Sequence, residues 1–278
     1  CFLTEHELSG GIRLACFARL LGEVTAEPEQ EGAPLILTGS ACGLPRELQP
    51  LMGAEDYGAA IDIGTTTVVC ALYRGDSPQQ LGLVSALNQQ RRFGADVLSR
   101  INYAITHHPR ELHQAIAGQI EEMLARLCAE CGAERSRLKR AVVTGNTVML
   151  HFFAGYDPRG MGFAPFTPAT LFDLSRDGLL AGVTCYLPPC ISSYAGADLV
   201  CCLLAAGLAE KGHKAAIVDI GTNGEMALYN QGRLYSCSTA AGPAFEGAGI
   251  KCGMPARQGA ISKARFDAES GRMVYDTI

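Results

Sequence analysis

The sequence of 278 residues has no long apolar run, no excess of basic residues and no recognisable export signal. No segment approaches the roughly 20 consecutive apolar residues that a membrane-spanning helix needs. The formal net charge is −5, and a nucleic-acid partner is not expected because neutralising phosphates takes a surplus of Lys and Arg. No signal-peptide pattern is visible at the start of the sequence. We therefore expect a cytoplasmic protein without a membrane or nucleic-acid partner.

Cysteine is abundant, with twelve residues scattered along the chain. Several lie in apolar runs, among them the adjacent Cys201 and Cys202. Without an export signal, buried reduced thiols are favoured over disulfides. Cys128 and Cys131 form a lone Cys-x-x-Cys pair, and zinc binding is disfavoured there because no second pair accompanies it.

Apolar periodicity predicts a mixed α/β chain. The proline-rich stretch 28–56 is interpreted as a linker, and the segment 155–189, rich in Pro and Gly, as a long excursion. The predicted strands are Ala59–Ile63, Val68–Tyr73, Leu81–Leu87, Ala141–Thr144 and one that begins at Ala215; the predicted helices run from Phe93 to Ile105, from Leu112 to Leu127 and over Ala195–Glu210.

One short motif occurs twice, 157 positions apart. Asp-Ile-Gly-Thr stands at Asp62–Thr65 and again at Asp219–Thr222, each time between an apolar strand and a second strand that ends in Ala-Leu-Tyr. A single copy is compatible with an ordinary strand and turn. Two copies in the same context indicate two related structural units.

The residue types in this motif suit phosphate binding. The glycine lets the backbone approach a phosphate closely, and backbone N–H groups and threonine hydroxyls donate to phosphate oxygens. The aspartate at the strand end can hold Mg²⁺, usually through water, because Mg²⁺ keeps several of its waters. Two such hairpins facing each other would bind one nucleotide from both sides.

The two motifs, Asp62–Thr67 and Asp219–Glu225, resemble the phosphate motifs of the actin-like ATPase superfamily. That resemblance implies an α/β actin-like (ribonuclease H-like) fold with two related subdomains, the second incomplete. Three further segments, Gly145–His151, Tyr194–Asp198 and Ala240–Gly247, resemble signatures of the reductive activators of corrinoid enzymes. Together with the phosphate motifs, they cover residues 57–278 in the expected order.

The resemblance implies a set of functional residues, with ATP and Mg²⁺ as cofactors. Asp198 is either a catalytic or Mg²⁺-binding group or a helix cap, and Glu225 either supports the site or faces solvent. His151 is interpreted as a packed histidine. The predicted catalytic residues are Asp62, Asp198 and Asp219, of which Asp62 and Asp219 are also expected to hold Mg²⁺ through water; the predicted nucleotide-binding residues are Gly64, Thr65, Thr66, Thr67, Gly221, Thr222, Asn223, Gly224, Glu225, Gly242, Pro243, Ala244 and Glu246.

Reductive activators of this kind carry a plant-type 2Fe–2S ferredoxin domain ahead of the ATPase. Gly11–Cys16 resembles its last ligand region, with Cys16 as the ligand, but the Cys-x4-Cys-x2-Cys run of the other three ligands is absent from this sequence. We therefore expect the chain to be a fragment. The expected organisation is a ferredoxin remnant at 1–27, a linker at 28–56, ATPase subdomain 1 at 57–212 and a truncated subdomain 2 at 213–278.

The function that the resemblance implies is ATP-dependent return of a corrinoid protein from Co(II) to Co(I). A corrinoid protein or corrinoid methyltransferase is the expected partner, together with a low-potential electron donor, and the oligomeric state, including a homodimer, stays open. Three alternatives remain at this point: a small-molecule kinase with Asp198 as general base, an activator of another low-potential metalloenzyme, and a nucleotide-gated scaffold without turnover.

Overall fold

The computed structural model describes residues 52–77, 79–208, 214–221, 223–240, 259, 261–267 and 272–277. These residues all belong to the compact unit that spans residues 34–278. The ferredoxin remnant and most of the linker proposed from the sequence lie outside the described residues. Within the described ranges, none of the helices combines the length and the apolar character needed to cross a membrane.

A six-stranded mixed sheet forms the centre of this unit, in the order β3-β2-β1-β4-β6-β5. β1 pairs antiparallel with β2 and parallel with β4, which places the ends of β1 and β4 at the same edge. In both strands buried apolar residues alternate with exposed ones, so one face of the sheet packs against the core. The strands are β1 (Tyr57–Ile63), β2 (Thr67–Arg74), β3 (Gln80–Leu87), β4 (Leu138–Gly145), β5 (Leu174–Leu180) and β6 (Val183–Leu187).

Three helices supply most of the remaining core: α1 (Val97–Thr106), α2 (Pro109–Glu130) and α3 (Thr147–Ala154). α1 begins with a capping box between Asp96 and Ser99, and α2 begins with a proline in its first turn. The entire α3 helix is buried, including His151, which contacts Tyr156 and Phe172 edge-on. The interpretation of His151 as a packed residue is therefore confirmed.

A fourth helix connects the first sheet to a second one. The helix α4 (Ala197–Ala205) packs against both β4 and β8, and Leu199 of α4 is buried against Ala227 of β8. The second sheet has the antiparallel order β7-β8-β9, and β10 and β11 form a separate hairpin. The strands are β7 (Ala215–Ile220), β8 (Asn223–Asn230), β9 (Arg233–Ala240), β10 (Ile261–Asp267) and β11 (Arg272–Thr277).

Two sequence-based assignments were wrong. The segment 155–189 is not wholly irregular, because it contains the hairpin of β5 and β6, and the consecutive polar residues of β5 hid the strand pattern. Phe93 does not belong to α1: it ends a separate 3₁₀ helix, Gln89–Phe93, which stops at Gly94. The predicted helix Ala195–Glu210 is observed as the shorter α4, within the described part of that segment.

Gly145 at the end of β4 provides a test of this strand arrangement. Its φ is +150°, and a Cβ atom there would lie 2.6 Å from the carbonyl oxygen of Ile63 in β1. We expect G145A to lower the free energy of unfolding by about 2 kcal/mol or more, measured by urea denaturation.

The matched control for G145A is G118A in the middle of α2, where a Cβ would meet nothing within 4 Å. It should raise the free energy of unfolding by up to about 1 kcal/mol, because alanine is the better helix former. A G145A protein as stable as wild type would contradict the close packing of β1 against β4.

Candidate functional site

The loop that joins β1 to β2 is shaped by hydrogen bonds to its carbonyl oxygens. Asn88 binds two of them: its side-chain Nδ2 donates to Gly64 O at 2.8 Å and its backbone N–H donates to Thr66 O at 2.9 Å. Arg100 of α1 donates to the carbonyl between them, Thr65 O, at 2.7 Å. Since C=O and N–H point in opposite directions across a trans peptide, these bonds also fix where the loop N–H groups point.

The side chain of Thr65 is held from the neighbouring strand end. Asn146, the N-cap of α3, donates from Nδ2 to Thr65 Oγ1 at 3.1 Å and accepts from the backbone N–H of Met149 with its Oδ1. Thr65 is buried, and its hydroxyl keeps its own hydrogen for donation. The roles predicted for Gly64, Thr65, Thr66 and Thr67 in phosphate binding stay predictions.

Asp198 reaches the same edge of the sheet because the residues before it approach β4 closely. A Cβ on Gly196 would lie 2.4 Å from Asn146 Cα and 2.6 Å from Gly145 O, so only glycine fits there. Gly196 is the N-cap of α4, whereas Asp198 lies in the first turn, where its Oδ1 accepts from the backbone N–H of Leu199 at 2.8 Å. Asp198 is therefore not the N-cap residue, and its carboxylate remains half-buried beside the site.

The second copy of the Asp-Ile-Gly-Thr motif lies in the hairpin of β7 and β8. Asp219 of β7 pairs with Glu225 of β8, and the turn between the strands is closed by a hydrogen bond from Gly221 N–H to Asn223 O at 2.9 Å. Glu225 is buried, and its Oε1 accepts from the Ser238 hydroxyl at 3.3 Å. The alternative that Glu225 faces solvent is therefore excluded.

The two hairpins lie close enough to influence each other electrostatically. The pKa of Asp62 is raised to about 7, first by burial among surrounding protein atoms and then by the negative charges of Asp198 and Asp219. Asp62 is nevertheless exposed to water, so a ligand can reach it. The carboxylates of β1, α4 and β7 therefore lie near enough to influence one another, and the prediction that the two hairpins face one nucleotide stays a prediction.

The other two acids show the same crowding. The pKa of Glu225 is raised to about 7, by burial first and then by Asp198 and Asp219, and the Ser238 hydroxyl opposes this shift. The pKa of Asp198 is also raised, mainly by burial, with the Leu199 N–H opposing the effect. Such shifts are common at functional sites, where like charges are held together for a cationic ligand.

These carboxylates fit a hydrated divalent cation. In the described part of the chain, no three His, Cys, Asp or Glu side chains are grouped closely enough to bind a metal ion directly. The coupled acids suit Mg²⁺ held through its waters, because a positive charge would relieve their mutual repulsion and water spans the remaining distance.

Several predicted site residues cannot be placed. Thr222, Gly242, Pro243, Ala244, Glu246 and Cys16 lie outside the described residues. Among the described candidates, Asp62, Asp198, Asp219 and Glu225 are brought together, and Asn223 and Gly224 begin the strand β8 that carries Glu225.

Sequence reasoning missed three residues of this site: Asn88, Arg100 and Asn146. Arg100 had a visible signal, because it lies on the buried face of α1 together with Val97, Ile101 and Ala104. A charged residue inside an apolar helical stripe requires polar partners in the core. Asn146 stood in a recognised motif but was not assigned a role.

Comparison with family descriptions shows that the fold is of the actin-like (ASKHA) class. Residues 57–211 match the RACo middle region, and residues 213–278 match the C-terminal domain of RACo, the ASKHA domain. The chain belongs to the RACo family. The predicted fold class and the resemblance to reductive activators are thereby confirmed.

Individual relatives carry consistent names. The corrinoid activation enzyme RamQ of Eubacterium limosum is 37% identical over 231 residues, which cover 80% of this chain and 38% of that protein. The [Co(II) methylated amine-specific corrinoid protein] reductase of Methanosarcina barkeri is 28% identical over 233 residues, covering 78% of this chain and 42% of that protein. The chain thus spans about two fifths of the length of these curated relatives.

A solved structure supports the same relationship. The reductive activator for corrinoid, iron–sulfur protein superposes with a TM-score of 0.70 at 40% identity, over 81% of this chain and 37% of the other. At this identity the likeness extends beyond the fold to the family.

The raised pKa of Glu225 predicts that replacing its carboxylate stabilises the folded state by an amount that depends on pH. The folded state holds the proton up to about pH 7, whereas the unfolded state loses it near pH 4.5, the ordinary pKa of a glutamate. Ionisation therefore costs folding free energy, and this cost grows from about pH 4.5 to about pH 7 and is constant above. We expect E225Q to raise the free energy of unfolding at pH 8 by on the order of 1–3 kcal/mol, and by little at pH 4.5.

Urea titrations of wild type and E225Q across pH 4.5–8.5, without nucleotide or Mg²⁺, measure this effect. E122Q, at an exposed position of α2, is the matched control for loss of one negative charge. A gain for E225Q that stays constant over this pH range, or that shrinks as pH rises, would contradict the crowding of acids at the site.

Proposed function

We propose that this chain is the ATP-binding part of an activator that returns a corrinoid protein from Co(II) to Co(I). The observation that carries the proposal is the match of residues 213–278 to the ASKHA domain of RACo. The electrostatic influence of Asp198 and Asp219 on Asp62 supports it. The names of the relatives supply the substrate class, since RamQ is called a corrinoid activation enzyme and the Methanosarcina barkeri relative a [Co(II) methylated amine-specific corrinoid protein] reductase.

The roles of the site residues follow from their positions. Backbone N–H groups of the loop Gly64–Thr67 and of the turn after Gly221 would bind the phosphates from two sides. Asp62 and Asp219 would orient the waters around Mg²⁺, and Asp198 would orient an attacking water or a metal-bound one. Bound Mg²⁺ would supply neutralisation of the phosphate charge during hydrolysis.

ATP would supply the free energy for an uphill electron transfer. Each 59 mV of one-electron potential gap costs about 1.4 kcal/mol, so a modest gap already exceeds thermal energy. Binding of a nucleotide between two hairpins on different sheets couples its presence to the relative position of those sheets, and hydrolysis would release that constraint. We infer that this change alters how the activator holds its corrinoid partner.

The 2Fe–2S cluster does not fit the residues of this chain. The sequence has no Cys-x4-Cys-x2-Cys run, and the eight cysteines within the described ranges are free thiols distributed over both sheets and their helices. No electron-transfer step is therefore assigned to a residue of this chain.

The proposal is tested with the intact protein, a corrinoid protein poised as Co(II) and a low-potential donor. The cobalt absorption spectrum should shift to Co(I) only when ATP and Mg²⁺ are present. Absence of an ATP-dependent spectral change, with a donor of sufficiently low potential, would overturn the proposed function.

Variants of the paired aspartates test the residue assignment. D62N and D219N should each lower the ATP-dependent rate by about 100-fold, because each removes a carboxylate that orients the metal. D177N is the matched control, since Asp177 is an exposed aspartate on β5 at the far edge of the first sheet. Full activity of D62N and D219N would remove these residues from the mechanism.

A further inference from the structure

Arg100 is a fully buried cation without a carboxylate partner in the described part of the chain. Its exposed fraction is 0%, and no acidic oxygen among the described residues lies within ion-pair distance of its guanidinium. Burial lowers its pKa to about 10, with Arg91 adding to the effect and Asp96 opposing it, so the group remains charged at neutral pH. An unpaired buried charge is costly, and its persistence calls for a physical reason.

All the observed partners of the guanidinium are neutral. Nε donates to Gly94 O at 2.9 Å, and one terminal nitrogen donates to Thr65 O at 2.7 Å. The other terminal nitrogen lies 3.3 Å from the Met149 sulfur of α3. Arg100 therefore ties α1 and α3 to the loop after β1, while its charge is left uncompensated by these contacts.

The hydrogen bond to Thr65 O also affects the N–H group on the other side of the same peptide. A hydrogen bond from a charged donor to a carbonyl polarises the peptide and strengthens its N–H as a donor. Asn88 acts in the same way on the preceding peptide through Gly64 O, but without a charge. The N–H groups of these two peptides belong to Thr65 and Thr66, the residues predicted to bind phosphate.

We propose that Arg100 is a positioning residue for the nucleotide phosphates, acting through the Thr65–Thr66 peptide and supplying a buried positive charge to their site. This inference rests on the proposed function, because it requires a nucleotide at the loop. The negative charge of the phosphates would compensate the guanidinium charge, with the Thr65–Thr66 peptide lying between the two groups. Arg100 does not itself touch the ligand.

The test compares ligands that differ only in their phosphates. Binding of ATP, ADP and adenosine to the intact protein is measured by calorimetry or by competition, for wild type, R100M and the control R92M. Arg92 is an exposed arginine next to Phe93 in the same region, so R92M removes one positive charge without touching the loop. R100M should lower the affinity for ATP at least tenfold, about 1.4 kcal/mol, and lower the affinity for ADP less. The affinity for adenosine should stay within twofold of wild type.

A purely structural role gives a different pattern. If R100M weakens ATP and adenosine equally, or leaves ATP unchanged, the inference is overturned. If R100M does not fold, R100K decides, because lysine keeps the charge but cannot bind the Gly94 and Thr65 carbonyls as a fork. R100K should weaken ATP at least threefold with adenosine unchanged, and wild-type affinity for ATP would overturn the inference.

Failure of the proposed function has a separate signature. Wild-type protein that binds none of the three ligands would overturn the assignment of a nucleotide site, and this inference with it. Wild-type protein that binds ATP, together with an R100M protein of equal affinity, would overturn only the role of Arg100.

Discussion

The hydrogen bonds that hold the three carbonyl oxygens of Gly64, Thr65 and Thr66 shape the first half of the site. A loop of this length has few internal hydrogen bonds, so its conformation depends on donors from elsewhere. Asn88 and Arg100 provide those donors from the end of β3 and from α1. The helices and the sheet are thereby connected to the first of the two loops that the repeat marks for phosphate binding.

The connection between the sheets has an equally specific cause. α4 packs against β4 on one side and β8 on the other, and its first turn carries Asp198. The close approach of Gly196 to Asn146 and Gly145 fixes where this helix begins. A single helix therefore sets both the position of the second hairpin and the position of one carboxylate between the hairpins.

The sequence predicts the parts of this site whose signal is local. The Asp-Ile-Gly-Thr repeat marks Asp62 and Asp219 because strand, turn and residue type are all contained in a few positions. Glu225 could be named but not placed, since its burial depends on how β9 covers β8 and brings Ser238 to it. The sequence did not predict Asn88, Arg100 and Asn146 as site residues. Their roles depend on hydrogen bonds to residues that are, respectively, 24, 35 and 81 positions away, and no local pattern reveals such contacts.

The hairpin of β5 and β6 shows the same limit for the fold. Its prolines and glycines mark turns correctly, yet the residues of β5 between them are mostly polar and exposed, because β5 is an edge strand. Edge strands need fewer apolar residues than central ones, and periodicity detects them poorly. The central strands β1 and β4 carry apolar residues that are buried on one face, and this local pattern predicted both strands.

The charged groups near the first loop have opposite signs. Asp62, Asp198 and Asp219 influence one another electrostatically, whereas Arg100 lies buried against the loop carbonyls with neutral partners. A free anion would be repelled by the acids, and a free cation would leave the guanidinium uncompensated. A magnesium–nucleotide complex presents a cation to the carboxylates and phosphates to the loop, so one ligand relieves both costs. The distribution of charge therefore favours this class of ligand over a simple metal ion or a simple phosphate.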